Sequence, residues 1–103
     1  MLKEANKEII SEALKSEKTK LVVFYADWCG PCRMYKGSLE QLDSNDNVEV
    51  LRVNIDHNRE FALENGVQGI PYTKVFKGDK EVKDFSGYVP YEILKEQVAP
   101  YIK

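Results

Sequence analysis

Residues 21–32 read LVVFYADWCGPC, and the two halves of this stretch decide different things. The first half, 21–26, is a continuous apolar and β-prone run, the pattern of a strand buried on both faces. Gly30 and Pro31 then break the strand, and proline in a first turn opens a helix. Both cysteines of the chain, Cys29 and Cys32, stand at that junction. Two thiols so spaced can bind a metal, lock a fold or exchange electrons with other proteins.

The junction has a physical logic for exchange. A cysteine at a helix start meets unpaired backbone amides and the positive end of the helix dipole, so its thiolate is stabilised. The second cysteine lies about one turn further in, close enough to bond the first and shielded from solvent. One sulfur attacks and the other resolves. Lowering a thiol pKa from about 8.5 to about 7 raises the thiolate fraction at pH 7 about 16-fold. Nucleophilicity falls about five-fold over the same change, leaving a net gain of roughly three-fold. Holding the resolving thiol beside the mixed disulfide is therefore the larger lever, through effective concentration. The competing readings are weaker. A structural zinc site wants four nitrogen or sulfur ligands, whereas two cysteines and the single His57 are all that exist here. A structural thiol pair without exchange stays open. His57, in a loop after a strand, reads as solvated or capping rather than as a general base.

Composition sets the frame. At 103 residues the chain is expected to form one domain over 1–103 with a self-sufficient core. Hydrophobic content of 43%, charged content of 31% and a net charge of −2 are ordinary for a globular protein and give no case for nucleic acid or an anionic membrane. Residues 1–20 interleave lysine and glutamate without an apolar secretory core. The apolar run 21–26 falls far short of the roughly 20 residues needed to cross a bilayer. A cytoplasmic, reducing setting is the expectation, in which two cysteines point to chemistry or metal.

The remaining elements follow from periodicity. Residues 6–16 read as a helix capped by Asn6, with Ile9, Ile10, Ala13 and Leu14 on one stripe. Residues 2–5 give a weak strand signal. Tyr35, Leu39 and Leu42 recur at helical spacing after the cysteines, with Gly37 weakening the middle of that helix. Residues 48–55 read as a strand, and Asn58 as the cap of a short helix through Phe61 and Leu63 that stops at Asn65-Gly66. Residues 73–77 and 81–86 read as a hairpin around Gly78-Asp79-Lys80. Pro90 opens a last helix with Tyr91, Leu94, Val98 and Ile102 on one face. The order predicts an α/β fold: a central mixed sheet of four or five strands with helices on both faces.

Trp28-Cys29-Gly30-Pro31-Cys32, with Gly66-Val67-Gln68-Gly69-Ile70-Pro71, Lys77 and Gly87 at matching spacing, resembles the thioredoxin family over nearly the whole chain. The resemblance implies a thioredoxin fold and reduction of protein disulfides through a mixed disulfide, with Cys29 as nucleophile and Cys32 as buried resolving thiol. Trp28, Gly30, Pro31 and Pro71 would support the site. Pro71 would be the family's cis-proline facing the cysteines, where it also removes a competing amide. Ile70 would offer free backbone groups to an extended substrate segment, within an apolar surface of Trp28, Gly69, Ile70, Gly87 and Tyr88. The redox-active Cys29–Cys32 disulfide would serve in place of any organic cofactor or metal. The Gly-Pro pair resembles the family's reductants, a monomer is expected, and an NADPH-dependent flavoprotein thioredoxin reductase would recycle it.

The departures are specific. Val23 stands where the family usually keeps a buried aspartate that takes the proton of the second thiol. Arg52 replaces the lysine that accompanies it and cannot act as a base; a strand-end cation with a snorkelling stem is its plainer reading. Tyr25 replaces a tryptophan, Gly37 a proline and Tyr72 a threonine, and Tyr88 is bulkier than the usual neighbour of Gly87. These changes motivate two other readings: a dedicated reductant of one client, or a non-catalytic binding module with idle thiols.

Overall fold

The computed structural model describes residues 2–102. In chain order the elements are β1 (Lys3–Glu4), α1 (Lys7–Ala13), β2 (Thr19–Tyr25), α2 (Gly30–Asn45), β3 (Glu49–Asn54), α3 (Arg59–Glu64), β4 (Tyr72–Lys77), β5 (Lys80–Ser86) and α4 (Tyr91–Val98), closed by a 3-10 turn over Ala99–Tyr101. The strands form one mixed sheet in the order β1-β3-β2-β4-β5. Strand β2 lies at its centre, parallel to β3 and antiparallel to β4.

The central place of β2 follows from its composition, since all seven of its residues are buried. Alternation then sorts them by face. Leu21 and Val23 pack against Tyr35, Leu39 and Leu42 of α2 and Leu94 and Val98 of α4. Val22 and Phe24 pack on the other face with Ile10 of α1 and Ala62 of α3. Each such side chain contributes about 1.5–3 kcal/mol by leaving water. Two helices on each face thus hold one strand, and that strand delivers the cysteines.

Local outcomes refine the sequence reading. Asn6 caps α1, its side chain accepting the Ile9 amide at 2.9 Å, but the helix ends at Ala13 and Ile9 is exposed, off the buried stripe. Asn58 precedes α3 without capping it by its side chain; its amide donates to the Asn54 carbonyl at 2.9 Å instead, tying the helix back to β3. Gly37 does not break α2, which runs unbroken for 16 residues. Helix α4 stops at Val98, short of Ile102, because Pro100 cannot continue an α-helical ladder. The weak signal at the N-terminus is a real edge strand, two residues paired parallel to β3.

Lys20 was invisible as a core residue, yet it is fully buried. Its ammonium donates to the carbonyls of Ser16, Lys18 and Gly78 at 2.7, 2.7 and 3.0 Å, closing the end of the sheet far from the cysteines. Burial lowers its pKa, against the opposing pull of Glu49, Glu17 and Asp79. Beneath the cysteines, Tyr35 of α2 reaches across the sheet face, its hydroxyl 2.9 Å from the Thr73 hydroxyl of β4.

The buried tyrosines make stability fall at alkaline pH. Burial raises the Tyr35 hydroxyl well above its ordinary value of 10.0, and burial, then the Glu4 carboxylate, pushes Tyr25 up to about 12. Above about pH 10 the unfolded chain releases protons that the folded chain keeps, so stability is full below that pH and declines above it. The slope is about 1.4 kcal/mol per pH unit for each proton so held. Lys20, with its lowered pKa, acts in the opposite sense and offsets part of this. Urea unfolding between pH 9 and 12 should show the decline, and Tyr35→Phe should make it shallower; an unchanged slope would mean that Tyr35 ionises freely in the fold.

Candidate active site

Strand β2 ends at Tyr25, and the Cys29 amide turns back to the Ala26 carbonyl at 3.2 Å. Cys29 keeps an extended backbone, φ −90° and ψ 110°, and is the N-cap of α2. Its sulfur accepts the Cys32 amide hydrogen at 3.2 Å, the place that a serine or aspartate oxygen takes at other helix starts. Gly30 and Pro31 fill the first turn, where the missing proline amide removes a donor that would have had no helical partner. The Arg33 side chain donates to the Asp27 carbonyl at 2.9 Å and so braces the junction. Cys29 and Cys32 are joined as a disulfide with Cα atoms 5.2 Å apart.

Pro71 is buried, and the Ile70–Pro71 peptide bond is cis. The Ile70 carbonyl oxygen lies 3.9 Å from the Cys29 sulfur, and Ile70 packs against the cluster of Tyr25, Ala26, Cys29 and Cys32. The Gly87 amide donates to the Pro71 carbonyl at 2.8 Å. At φ +92° Gly87 occupies a conformation that side chains disfavour, so the turn itself requires glycine there. Tyr88 follows, 40% exposed, with its ring edge-on to Tyr35. Gly69 is exposed beside Ile70.

Trp28 is 67% exposed and not part of the core. Its indole N–H donates to Asp56 Oδ2 at 3.0 Å, which fixes the ring beside the disulfide. Both cysteines are buried in the disulfide, Cys29 at 5% and Cys32 at 3%.

Beside Cys32 a cleft of about 300 Å³ is lined by Tyr25, Ala26, Asp27, Arg33, Lys36 and Arg52. Val23 is buried below, opposite Arg52 on one neighbouring strand and Thr73 on the other. In the core cluster around Val23 the Tyr35 hydroxyl is already bonded to Thr73. Arg52 is not a snorkelling strand-end cation: it lies mid-sheet with its guanidinium 3.8 Å from the centre of the Tyr25 ring. Tyr25 in turn donates its hydroxyl to the Glu4 carboxylate. The Arg52–Tyr25 stack and the Trp28–Asp56 bond join residues on different elements, and neither leaves a local pattern in the sequence. His57 is exposed in the turn after β3, and among the described residues no group of three histidine, cysteine or carboxylate side chains is placed to hold a metal ion.

Comparison with known proteins bears on this geometry directly. The family profile described as Thioredoxin matches residues 1–100. A thioredoxin of Alicyclobacillus acidocaldarius is 39% identical over 94 residues, covering 89% of this chain and 90% of the relative. One of Streptomyces clavuligerus is 42% identical over 85 residues, covering 82% and 79%. Among solved structures, a mutant thioredoxin from Halobacterium salinarum superimposes with a TM-score of 0.92 at 27% identity, over 99% of this chain and 90% of the other. The fold has the expected layers and mixed sheet, and a cysteine pair at disulfide distance caps its active-site helix. The chain therefore belongs to the thioredoxin family, as a dithiol–disulfide oxidoreductase that acts on protein disulfides.

Proposed function

We propose that Cys29 attacks and Cys32 resolves. The observation that carries this assignment is the asymmetry of the pair. Cys29 sits at the N-cap, holds the Cys32 amide and faces the Ile70 carbonyl, whereas Cys32 lies inside the first turn of α2. In the reduced protein the Cys29 thiolate displaces one thiolate from a substrate disulfide and forms a mixed disulfide. Cys32 then loses its proton and attacks the Cys29 sulfur, expelling the second substrate thiolate. Two electrons pass to the substrate, and the Cys29–Cys32 disulfide remains.

The substrate segment lies extended along Ile70, whose backbone supplies the pairing groups. Trp28, Gly69, Gly87 and Tyr88 form the surface around it, while Gly30, Pro31 and Pro71 hold the pair in place. Recycling falls to an NADPH-dependent flavoprotein thioredoxin reductase, with the chain acting as a cytoplasmic monomer and residues 1–103 as one domain. A dedicated client is the second reading, favoured by Val23 below the cysteines and by the bulk of Tyr88 at the rim.

Insulin reduction separates these. Turnover is expected both with dithiothreitol and with NADPH plus a thioredoxin reductase; turnover with dithiothreitol alone would move the conclusion to a dedicated client. Cys29→Ser should abolish reduction, and Cys32→Ser should accumulate a mixed disulfide on Cys29. Finding that adduct on residue 32 in the converse variant, at an equal rate, would overturn the assignment.

Val23→Asp restores a carboxyl beneath the pair. Resolution near neutral pH should quicken several-fold, while burial of the acid lowers stability by about 1–3 kcal/mol. Unfolding curves and single-turnover kinetics check both arms. A loss of stability without faster resolution would mean that proton removal from Cys32 does not limit turnover.

A further inference from the structure

The cleft beside Cys32 shares no residue with the surface formed by Trp28, Gly69, Ile70, Gly87 and Tyr88. Its charge is lopsided. Arg33 and Lys36 enter from successive turns of α2 and Arg52 from β3, against the single carboxylate of Asp27, in a chain whose net charge is −2. Among the described residues none of these three cations makes an ion pair. Arg52 is held in place by the Tyr25 ring, and its Nε is buried without a hydrogen-bond partner. Asp27 is turned toward Asn54, whose side-chain amide lies 3.5 Å away. A fixed guanidinium with two further cations at one rim matches the geometry of an oxyanion, and about 300 Å³ is ample for one.

The same cleft lacks a buried proton acceptor beneath Cys32. Val23 offers none, the three cations cannot accept, the Tyr25 hydroxyl already donates to Glu4, and the one carboxylate, Asp27, is exposed and turned toward Asn54. We propose that the cleft binds a small dianionic oxyanion of the inorganic phosphate class, and that this ion takes the Cys32 proton during resolution. The proposal rests on Cys32 being the resolving thiol. In that step the Cys32 S–H bond breaks and the proton passes to a phosphate oxygen, giving the monoanion. The sulfur electron pair forms the bond to Cys29 as the substrate thiolate departs. A bound acceptor whose pKa lies near the working pH is suited to this transfer.

The test has two arms at fixed pH and fixed ionic strength, with sodium phosphate replacing sodium chloride. In the oxidised protein, nitrogen–proton NMR should show saturating shifts at the Arg52 Nε–H and the Cys32 amide. In single turnover, release of substrate from the Cys29 mixed disulfide should accelerate several-fold, with the same half-saturation. Arg52→Gln and the exposed-site change Lys36→Gln should each weaken both responses roughly ten-fold, as expected for loss of one charge-assisted contact. Asp27→Asn should strengthen binding and keep the phosphate response. Shifts that never saturate, or that persist unchanged in Lys36→Gln, would overturn the site. Loss of the phosphate response in Asp27→Asn would make Asp27 the acceptor and overturn the proton transfer. A mixed disulfide found on Cys32 would sink the assignment of roles instead, and the NMR arm would still judge the cleft.

Discussion

The reactive end of the molecule depends on one residue having two structural duties. Cys29 is extended, as the continuation of β2 demands, and its sulfur accepts an amide of the helix that begins immediately after it. A helix start leaves several amides without partners, and here a sulfur rather than an oxygen answers one of them. The interaction that completes the fold is thus the interaction that stabilises negative charge on the sulfur. Replacing the residue by serine keeps a competent cap while removing the redox chemistry, so the two duties are separable by experiment although one atom performs both.

The position of that atom is fixed by burial on both sides of β2. Leu21 and Val23 face one pair of helices, Val22 and Phe24 the other, and a shift of one residue would exchange the two sets. The cysteines follow within a few residues, so the register of the sheet sets where the disulfide stands against Ile70. Lys20 and Tyr35 enter the interior as paired polar groups, Lys20 with three carbonyls and Tyr35 with Thr73. Val23 fits the same pattern, because an unpaired carboxyl in that layer would be costly in either protonation state.

Much of this was legible in residues 21–32 alone. The continuous apolar run predicted a strand buried on both faces, Gly30 and Pro31 predicted the helix start, and the spacing of Cys29 and Cys32 put the two thiols within bonding reach. These are local signals with local causes. The hairpin around Gly78 and the capping role of Asn6 were legible for the same reason. What could not be read depended on contacts between distant elements. Trp28 finds Asp56 across the site, Arg52 finds Tyr25 across two strands, and Lys20 is buried because a turn on another hairpin brings the Gly78 carbonyl to it. Asn58 shows the converse, a sound local cap signal diverted by a better acceptor on β3.

The two sulfurs belong to different surroundings, and this has a consequence for how exchange is organised. Cys29 meets Ile70 and lies beside Trp28, a neighbourhood of apolar side chains and free backbone groups. Cys32 opens on a cleft of cations. An apolar client segment gains from the first, while a small anion is drawn to the cations of the second and gains nothing from the first. On the roles proposed for Cys29 and Cys32, substrate exchange and proton traffic fall to separate flanks of one disulfide. Loss of the buried acid at Val23 does not remove the need to deprotonate Cys32. With the proposed anion site, that need moves from the core, where a charge is expensive, to a solvent-reachable flank where three cations lower the cost of bringing an acceptor in.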